Sequence, residues 1–282
     1  MTDKPEPTPD PTHANVAYGS YDRNLLDFWQ TESDTPTPLV INIHGGGFRM
    51  GDKAAGPQLL AWGPEHGVSV AAIAYRFSED AIAPASFVDG ARAVQFFRHM
   101  ADEWNIDKDR IATIGPSAGA GIGMWMAFRE DMAQPESDDP VLRESTRLKC
   151  VVGNSGQSSY DPRFIRDLFP DYPVYKESAL ELLFDYDSEK LDDLPQEKYR
   201  LFEEVSPINY VNENSPPVML NYGMALDAEV TDQGIGIHHA RFGVPLKEKL
   251  DGAGVPCEFY AGGERVGGGE VRTFMEFLED YL

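Results

Sequence analysis

A chain of 282 residues, 41% hydrophobic and 11% aromatic, is long enough to bury a sizeable core and still fold as one domain. Its 24 basic and 47 acidic residues leave a formal charge of −23, which argues for solubility and against a nucleic-acid backbone as partner. No window approaches about 18 uncharged apolar residues, and the first residues, MTDKPEPTPDPTH, hold no leader-like apolar core; a cytoplasmic protein with no membrane partner is the expectation.

Residues 1–14 are proline-rich and polar and read as an irregular tail, followed by a single domain over 15–282. Apolar runs predict strands at 39–43 and 68–75. Over 86–104, Val88, Ala91, Val94, Phe97 and Ala101 fall at helical spacing. A strand at 110–114 leads into a helix at 118–128 with a mostly apolar surface. Further strands are predicted at 150–152, 218–222 and 258–260, with helices at 245–250 and 271–282. Strands and helices alternating at this pitch imply a mostly parallel sheet covered by helices on both faces, the α/β class. Residues 157–214 break the rhythm: they are aromatic, acidic and proline-punctuated, and read as a helical insertion or lid over one end of the sheet. Tyr160, Phe164, Phe169, Tyr172, Tyr175 and Phe184 there either line a pocket or, more plainly, form the inner side of covering helices. Cys150 and Cys257 lie in apolar runs and read as buried free thiols.

Two stretches carry chemistry. The first, IATIGPSAGAG (111–121), has the form G-x-S-x-G at a strand–turn–helix junction. A sharp turn there would push the Ser117 hydroxyl forward, while Gly115, Ala118 and Gly119 keep the neighbouring backbone thin. The new helix would aim free N–H groups at a developing anion. The second, HGGGF (44–48), follows the strand LVINI. Consecutive glycines expose main-chain N–H groups, and those of Gly46 and Gly47, with that of Ala118, form a candidate oxyanion hole. His44 reads as a residue that orients this loop. No metal site is expected, because His238 and His239 are adjacent and lack a further ligand at zinc spacing. The glycine-rich GGERVGGG near the C-terminus is not a dinucleotide fingerprint, since it opens no first βαβ turn. No cofactor is expected.

Together these motifs resemble the α/β-hydrolase superfamily, in the branch of carboxylesterases that share an HGGG-type loop with hormone-sensitive lipase and with acetyl-xylan and feruloyl esterases. Tyr18-Gly19 and the segment LLDFW (25–29) resemble that family's opening. The resemblance covers residues 16–129, resumes more loosely over 216–282 and leaves the excursion uncovered. It implies a serine–acid–histidine triad in that chain order and a small-molecule ester as substrate. The acid should follow the strand ending near Gly223: Asp227 is the first choice and Asp232 the second, although counting back from the next helix points near Ile235. The family's histidine belongs in a glycine-rich turn after the last strand, where this chain reads GGERVGGGE. None of the six histidines follows residue 239, and Glu264 or Arg265 stands in that place. Three readings stay open: His238 or His239 is recruited as base; the serine works slowly without a proper base; or the pocket binds a ligand without turning it over. The first two imply a serine carboxylic-ester hydrolase for small or short-acyl esters, acting through an acyl-enzyme on Ser117. The sequence leaves a homodimer open.

Overall fold

The computed structural model describes residues 8–282. Its centre is a nine-stranded sheet: β1 (His13–Ala17), β2 (Leu25–Trp29), β3 (Thr37–Ile43), β4 (Ser69–Ile73), β5 (Ile106–Pro116), β6 (Val151–Asn154), β7 (Val218–Tyr222), β8 (Cys257–Ala261) and β9 (Glu264–Arg265). The strand order is β1-β2-β4-β3-β5-β6-β7-β8-β9. From β4 through β3, β5, β6 and β7 to β8 every pairing is parallel; β1, β2 and β9 add antiparallel edges. Among the described residues nine α-helices accompany them: α1 (Pro57–Glu65), α2 (Ala85–His99), α3 (Ala118–Phe128), α4 (Pro162–Leu168), α5 (Ser178–Phe184), α6 (Gln196–Glu204), α7 (Gln233–Ile237), α8 (Gly243–Gly252) and α9 (Phe274–Tyr281). This is the α/β-hydrolase arrangement.

The burial pattern explains the layering. β4 is buried at every position, as a parallel strand covered on both faces must be. Side chains of β3 alternate between two cores: Leu39, Ile41 and Ile43 join α2, α3 and α8 on one side, and Val40 joins α1 and α9 on the other. β2 lies nearer the edge, with only Leu26 and Phe28 buried. All of α3 is buried, which its uncharged sequence AGAGIGMWMAF permits. Fully burying a side chain such as Phe97 or Phe128 contributes about 1.5–3 kcal/mol each.

Several boundaries differ from the sequence expectation. The first strand begins at His13, inside the stretch read as a tail. Its approach is pinned where Trp29 Nε1 donates to Pro9 O at 2.8 Å. Residues 1–7 of that tail lie outside the described residues. α2 stops at His99, not Trp104, because Met100–Trp104 turn back so that the Ile106 N–H can reach Ala101 O. The last helix starts at Phe274, where Thr273 and Glu276 form a reciprocal capping box.

The 157–214 segment contains only helices (α4, α5 and α6) and 3₁₀ turns, including Val174–Lys176. Its aromatics mostly serve the covering layer, with Phe169 and Phe184 buried in the main core. Contacts that tie the segment down include Trp125 Nε1 donating to Glu204 O at 2.8 Å, Ala83 N–H to Leu183 O at 2.8 Å and Arg49 Nη1 to Ser178 Oγ at 3.0 Å. Cys150 and Cys257 are free thiols, each pushed up to about 12 by burial. Among the described residues no helix is long and apolar enough to cross a membrane, and no His/Cys/Asp/Glu cluster could hold a metal ion.

Candidate active site

Ser117 joins β5 to α3 with φ 50° and ψ −118°, a region that side-chain-bearing residues rarely occupy. Holding it there costs on the order of 1–3 kcal/mol. The surroundings impose it: the Ser117 N–H donates to Asn154 O on β6 at 2.8 Å, and its own carbonyl accepts from Gly121 N–H at 3.0 Å. Strand and helix approach so closely that a Cβ on Gly115 or Gly119 would strike the Ile43 carbonyl. The glycines of the elbow are therefore set by contact with the end of β3.

The next residues along β3 form the glycine loop. Gly46 and Gly47 have φ of +105° and +60°, and a Cβ on Gly46 would run into the Met50 carbonyl. Among the described residues, the N–H groups of Gly46, Gly47 and Ala118 have no acceptor. The same loop lies over the elbow: a Cβ on Gly45 would come within 3.5 Å of Ser117 Cβ. His44 stays behind it, 8% exposed and stacked on Tyr75 with ring centroids 4.2 Å apart. Its Nδ1 faces Gly45 O at 2.7 Å, and Tyr75 Oη donates to His44 O at 2.9 Å. Burial lowers the pKa of His44, which keeps the ring neutral and suits it to holding the loop.

On the other side of Ser117, His238 Nε2 lies 2.9 Å from the serine Oγ. His238 Nδ1 lies 2.8 Å from the carbonyl oxygen of Gly234. A carbonyl can only accept, so Nδ1 carries the proton and Nε2 presents its lone pair to the serine hydroxyl. The network therefore assigns the tautomer in which Ser117 donates to His238. The ring is half-buried at the C-terminal end of α7.

His239, the other candidate, points elsewhere. It is fully buried, its Nε2 donates to Ala228 O at 3.0 Å, and its Nδ1 accepts from Arg241 N–H at 3.0 Å. Burial lowers its pKa too. Neither candidate aspartate meets an imidazole. Asp232 caps α7, accepting from Ile235 N–H at 2.8 Å, because a five-residue helix needs its free N–H groups satisfied. Asp227 is exposed and, among the described residues, makes no hydrogen bond to His238. Ile235, where chain counting pointed, lies inside α7. Gly234 and its carbonyl carried no sequence signal, since any residue supplies one.

The glycine-rich turn after β8 is a hairpin. Glu264 and Arg265 form β9 and pair back onto Ala261 and Tyr260, with Gly262 and Gly263 at the bend in left-handed conformation. Glu264 is exposed, and the Gly262 N–H is taken by Tyr222 O at 3.0 Å. Beyond it Arg272 Nη1 donates to Glu258 Oε1 at 2.9 Å and anchors the approach to α9.

A small, mainly apolar cavity of ≈ 20 Å³ adjoins Ser117. Phe48 and Ala118 wall it from the sheet side; Tyr160, Ile165 and Leu180 close it from the 157–214 segment. Larger hollows lie elsewhere, such as that between Asp161, Arg200 and Tyr210, but they do not touch Ser117.

Known proteins resemble this chain in sequence and in fold. The BD-FAE family model matches residues 26–235. Among curated proteins, the chain is 26% identical over 210 residues to the probable isoprenylcysteine alpha-carbonyl methylesterase ICMEL1 of Arabidopsis thaliana, covering 74% of this chain and 43% of that protein. It is 25% identical over 211 residues to esterase LipC of Mycobacterium tuberculosis, covering 74% and 49%. The chain thus spans about half the length of these relatives or less. Among solved structures, a truncated carbohydrate esterase from gut microbiota superposes with a TM-score of 0.72 at 21% identity, covering 98% of both chains. The acetyl ester-xyloside bifunctional hydrolase of Caldicellulosiruptor lactoaceticus gives 0.64 at 23% identity, covering 84% of this chain and 76% of that one.

Proposed function

This chain belongs to the BD-FAE family, and on that footing we propose that it is a serine carboxylic-ester hydrolase for small acyl groups, with Ser117 as nucleophile and His238 as base. The 2.9 Å contact between Ser117 Oγ and His238 Nε2 carries the reading, because Gly234 sets the tautomer that can take the serine proton.

The steps follow from the geometry. Ser117 attacks the ester carbonyl carbon as its proton passes to His238 Nε2. The charge that develops on the carbonyl oxygen meets the N–H groups of Gly46, Gly47 and Ala118, which among the described residues have no acceptor. His238 returns the proton to the departing alcohol, leaving an acyl group on Ser117. Water then attacks that acyl group, giving a proton to His238, which hands it back to Ser117 as the acid leaves.

Acyl size follows from the cavity. At ≈ 20 Å³ the cavity beside Ser117 is narrow, and its lining is mainly apolar. An acetyl methyl fits, and a longer chain needs the covering helices to move. The Gly234 carbonyl orients the imidazole, yet it is neutral and stabilises the imidazolium less than a carboxylate does. In a serine protease whose acid is replaced by its amide, the wrong tautomer costs about 10⁴-fold; here the tautomer is right, so the loss relative to a full triad should be smaller.

The test is turnover of p-nitrophenyl acetate by the wild-type chain and by Ser117→Ala. Hydrolysis that Ser117→Ala abolishes supports the reading. Undiminished hydrolysis in that variant refutes the nucleophile. No turnover, and no labelling by a fluorophosphonate, would favour a ligand-binding protein instead.

A further inference from the structure

Gln157 stands just beyond β6, where the chain leaves the sheet for the 157–214 segment, and it is 4% exposed. Its Nε2 donates to the carbonyl of Ile237, the residue immediately before His238. The partner atom matters. Ile237 is the last residue of α7, and carbonyls at a helix C-terminus have no partner within the helix. A buried side-chain donor from a different part of the fold satisfies this one.

The helix has little else to hold it. Five residues are far too few for a helix to persist on its own in water. The Asp232 cap secures its start. Gly236 packs so tightly on Val174 of the 3₁₀ turn that no Cβ fits. Gln233 Nε2 reaches Pro173 O only at a long 3.4 Å. Among these contacts, the Gln157 amide bonds the main chain nearest the imidazole. Gln157 and Ile237 also both line the cavity beside Ser117, so the bond lies at the edge of the reaction space.

We propose that Gln157 is a positioning residue: its amide, bonded to Ile237 O, sets the His238 imidazole within reach of Ser117. This rests on His238 acting as the base. The bond makes base placement depend on the root of the 157–214 segment, which also closes the cavity. Removing the donor leaves α7 with its cap and its packing but frees its last turn to shift. Misplacement of a base by about 1 Å can cost on the order of 100-fold in rate.

The experiment is steady-state hydrolysis of p-nitrophenyl acetate by wild type, Gln157→Met, His238→Ala and the double variant, with thermal unfolding of each. Methionine keeps the length of the side chain and removes the donor. The expected result is a kcat lowered about 10- to 100-fold in Gln157→Met with KM within threefold of wild type. A residue that acts through His238 also has nothing left to do once the imidazole is gone. The double variant should therefore match His238→Ala within twofold. A Gln157→Met kcat within twofold of wild type, a loss confined to KM, or a loss that recurs in full on the His238→Ala background would each overturn the inference and leave the base reading standing. If Gln157→Met does not fold, Gln157→Leu serves in its place: it also lacks the donor and fits within the space of the glutamine side chain, and the same criteria apply. A His238→Ala variant as active as wild type refutes the base reading itself, and this inference with it.

Discussion

His238 Nδ1 lies 2.8 Å from Gly234 O, a main-chain carbonyl one turn back along the chain. In a triad, the acid side chain holds the tautomer and compensates the charge of the imidazolium. Here the first task falls to the backbone, and among the described residues no carboxylate is hydrogen-bonded to His238 to perform the second. The arrangement explains how an imidazole can be ready for Ser117 while the turn after β8 holds none.

The two adjacent histidines should separate cleanly. His238→Ala is expected to lower kcat on p-nitrophenyl acetate by about 10²-fold or more, the usual scale for a lost general base. His239→Ala removes a buried ring that bonds Ala228 O and Arg241 N–H, so its effect should be on stability. Leaving those groups unpaired costs about 1–3 kcal/mol, read as a lower midpoint in urea. Equal losses of kcat in the two variants would contradict the assignment.

Carboxylates should matter little to turnover. Asp227→Asn and Glu264→Gln are expected to keep kcat within about twofold, since neither group reaches His238 and surface changes rarely do more. Asp232→Ala removes the cap of α7 and should cost about 1 kcal/mol of stability with a modest fall in kcat. A fall of 10³-fold in Asp227→Asn would show that this aspartate swings in during catalysis.

The glycine loop predicts a steep response at one position. Gly46→Ala combines a strained positive φ with a collision at the Met50 carbonyl, so the loop must move and its N–H groups turn away. Loss of one oxyanion donor costs about 10²–10³ in kcat. Measuring kcat beside fluorophosphonate labelling of Ser117 checks that the nucleophile itself survives.

Acyl length tests the cavity. From acetate to butyrate, kcat/KM should fall at least about 10-fold, given about 1–3 kcal/mol for each methylene that does not fit. Leu180→Ala should recover part of the butyrate rate, because Leu180 is one of the closing walls. A flat profile through octanoate would mean that the 157–214 cover opens freely.

Stability should decline below neutrality through two buried imidazoles. Burial lowers the pKa of both His44 and His239, so their neutral forms belong to the fold. Their contribution is complete above the unfolded value of about 6.5 and is lost as pH falls from there towards the lowered folded values. Unfolding midpoints at pH 7.5, 6.5 and 5.5 should fall in that order. His239→Gln should show a shallower fall between 6.5 and 5.5, and an unchanged slope would contradict the assignment.

Much of the architecture was legible because its signals are local. The unbroken apolar run of β4 follows from a strand covered on both faces. The elbow at Ser117 was readable from small residues at 115, 118 and 119, and for the two glycines the reason is the Ile43 carbonyl pressed against them. Boundaries were harder: α2 ends at His99 although helical spacing runs on to Ala101, because a long-range turn towards β5 outweighs propensity. The sequence named His238 and His239 together and had no means of separating them. Adjacent residues at the end of a short helix point about 100° apart, and only the register of α7 against Val174 and Gln157 decides which ring meets the serine.

By itself, then, the sequence determined the layers of this protein, the elbow that carries Ser117 and the glycine loop that faces it, because each depends on spacing within a few residues. It also showed that the turn after β8 has no histidine. The tertiary structure alone decided that His238 stands at Ser117, that a backbone carbonyl orients it, and that the 157–214 segment closes the cavity. The physical reason is chain separation: the serine and the imidazole are 121 positions apart, and nothing local to either records how the sheet and its cover bring them to 2.9 Å.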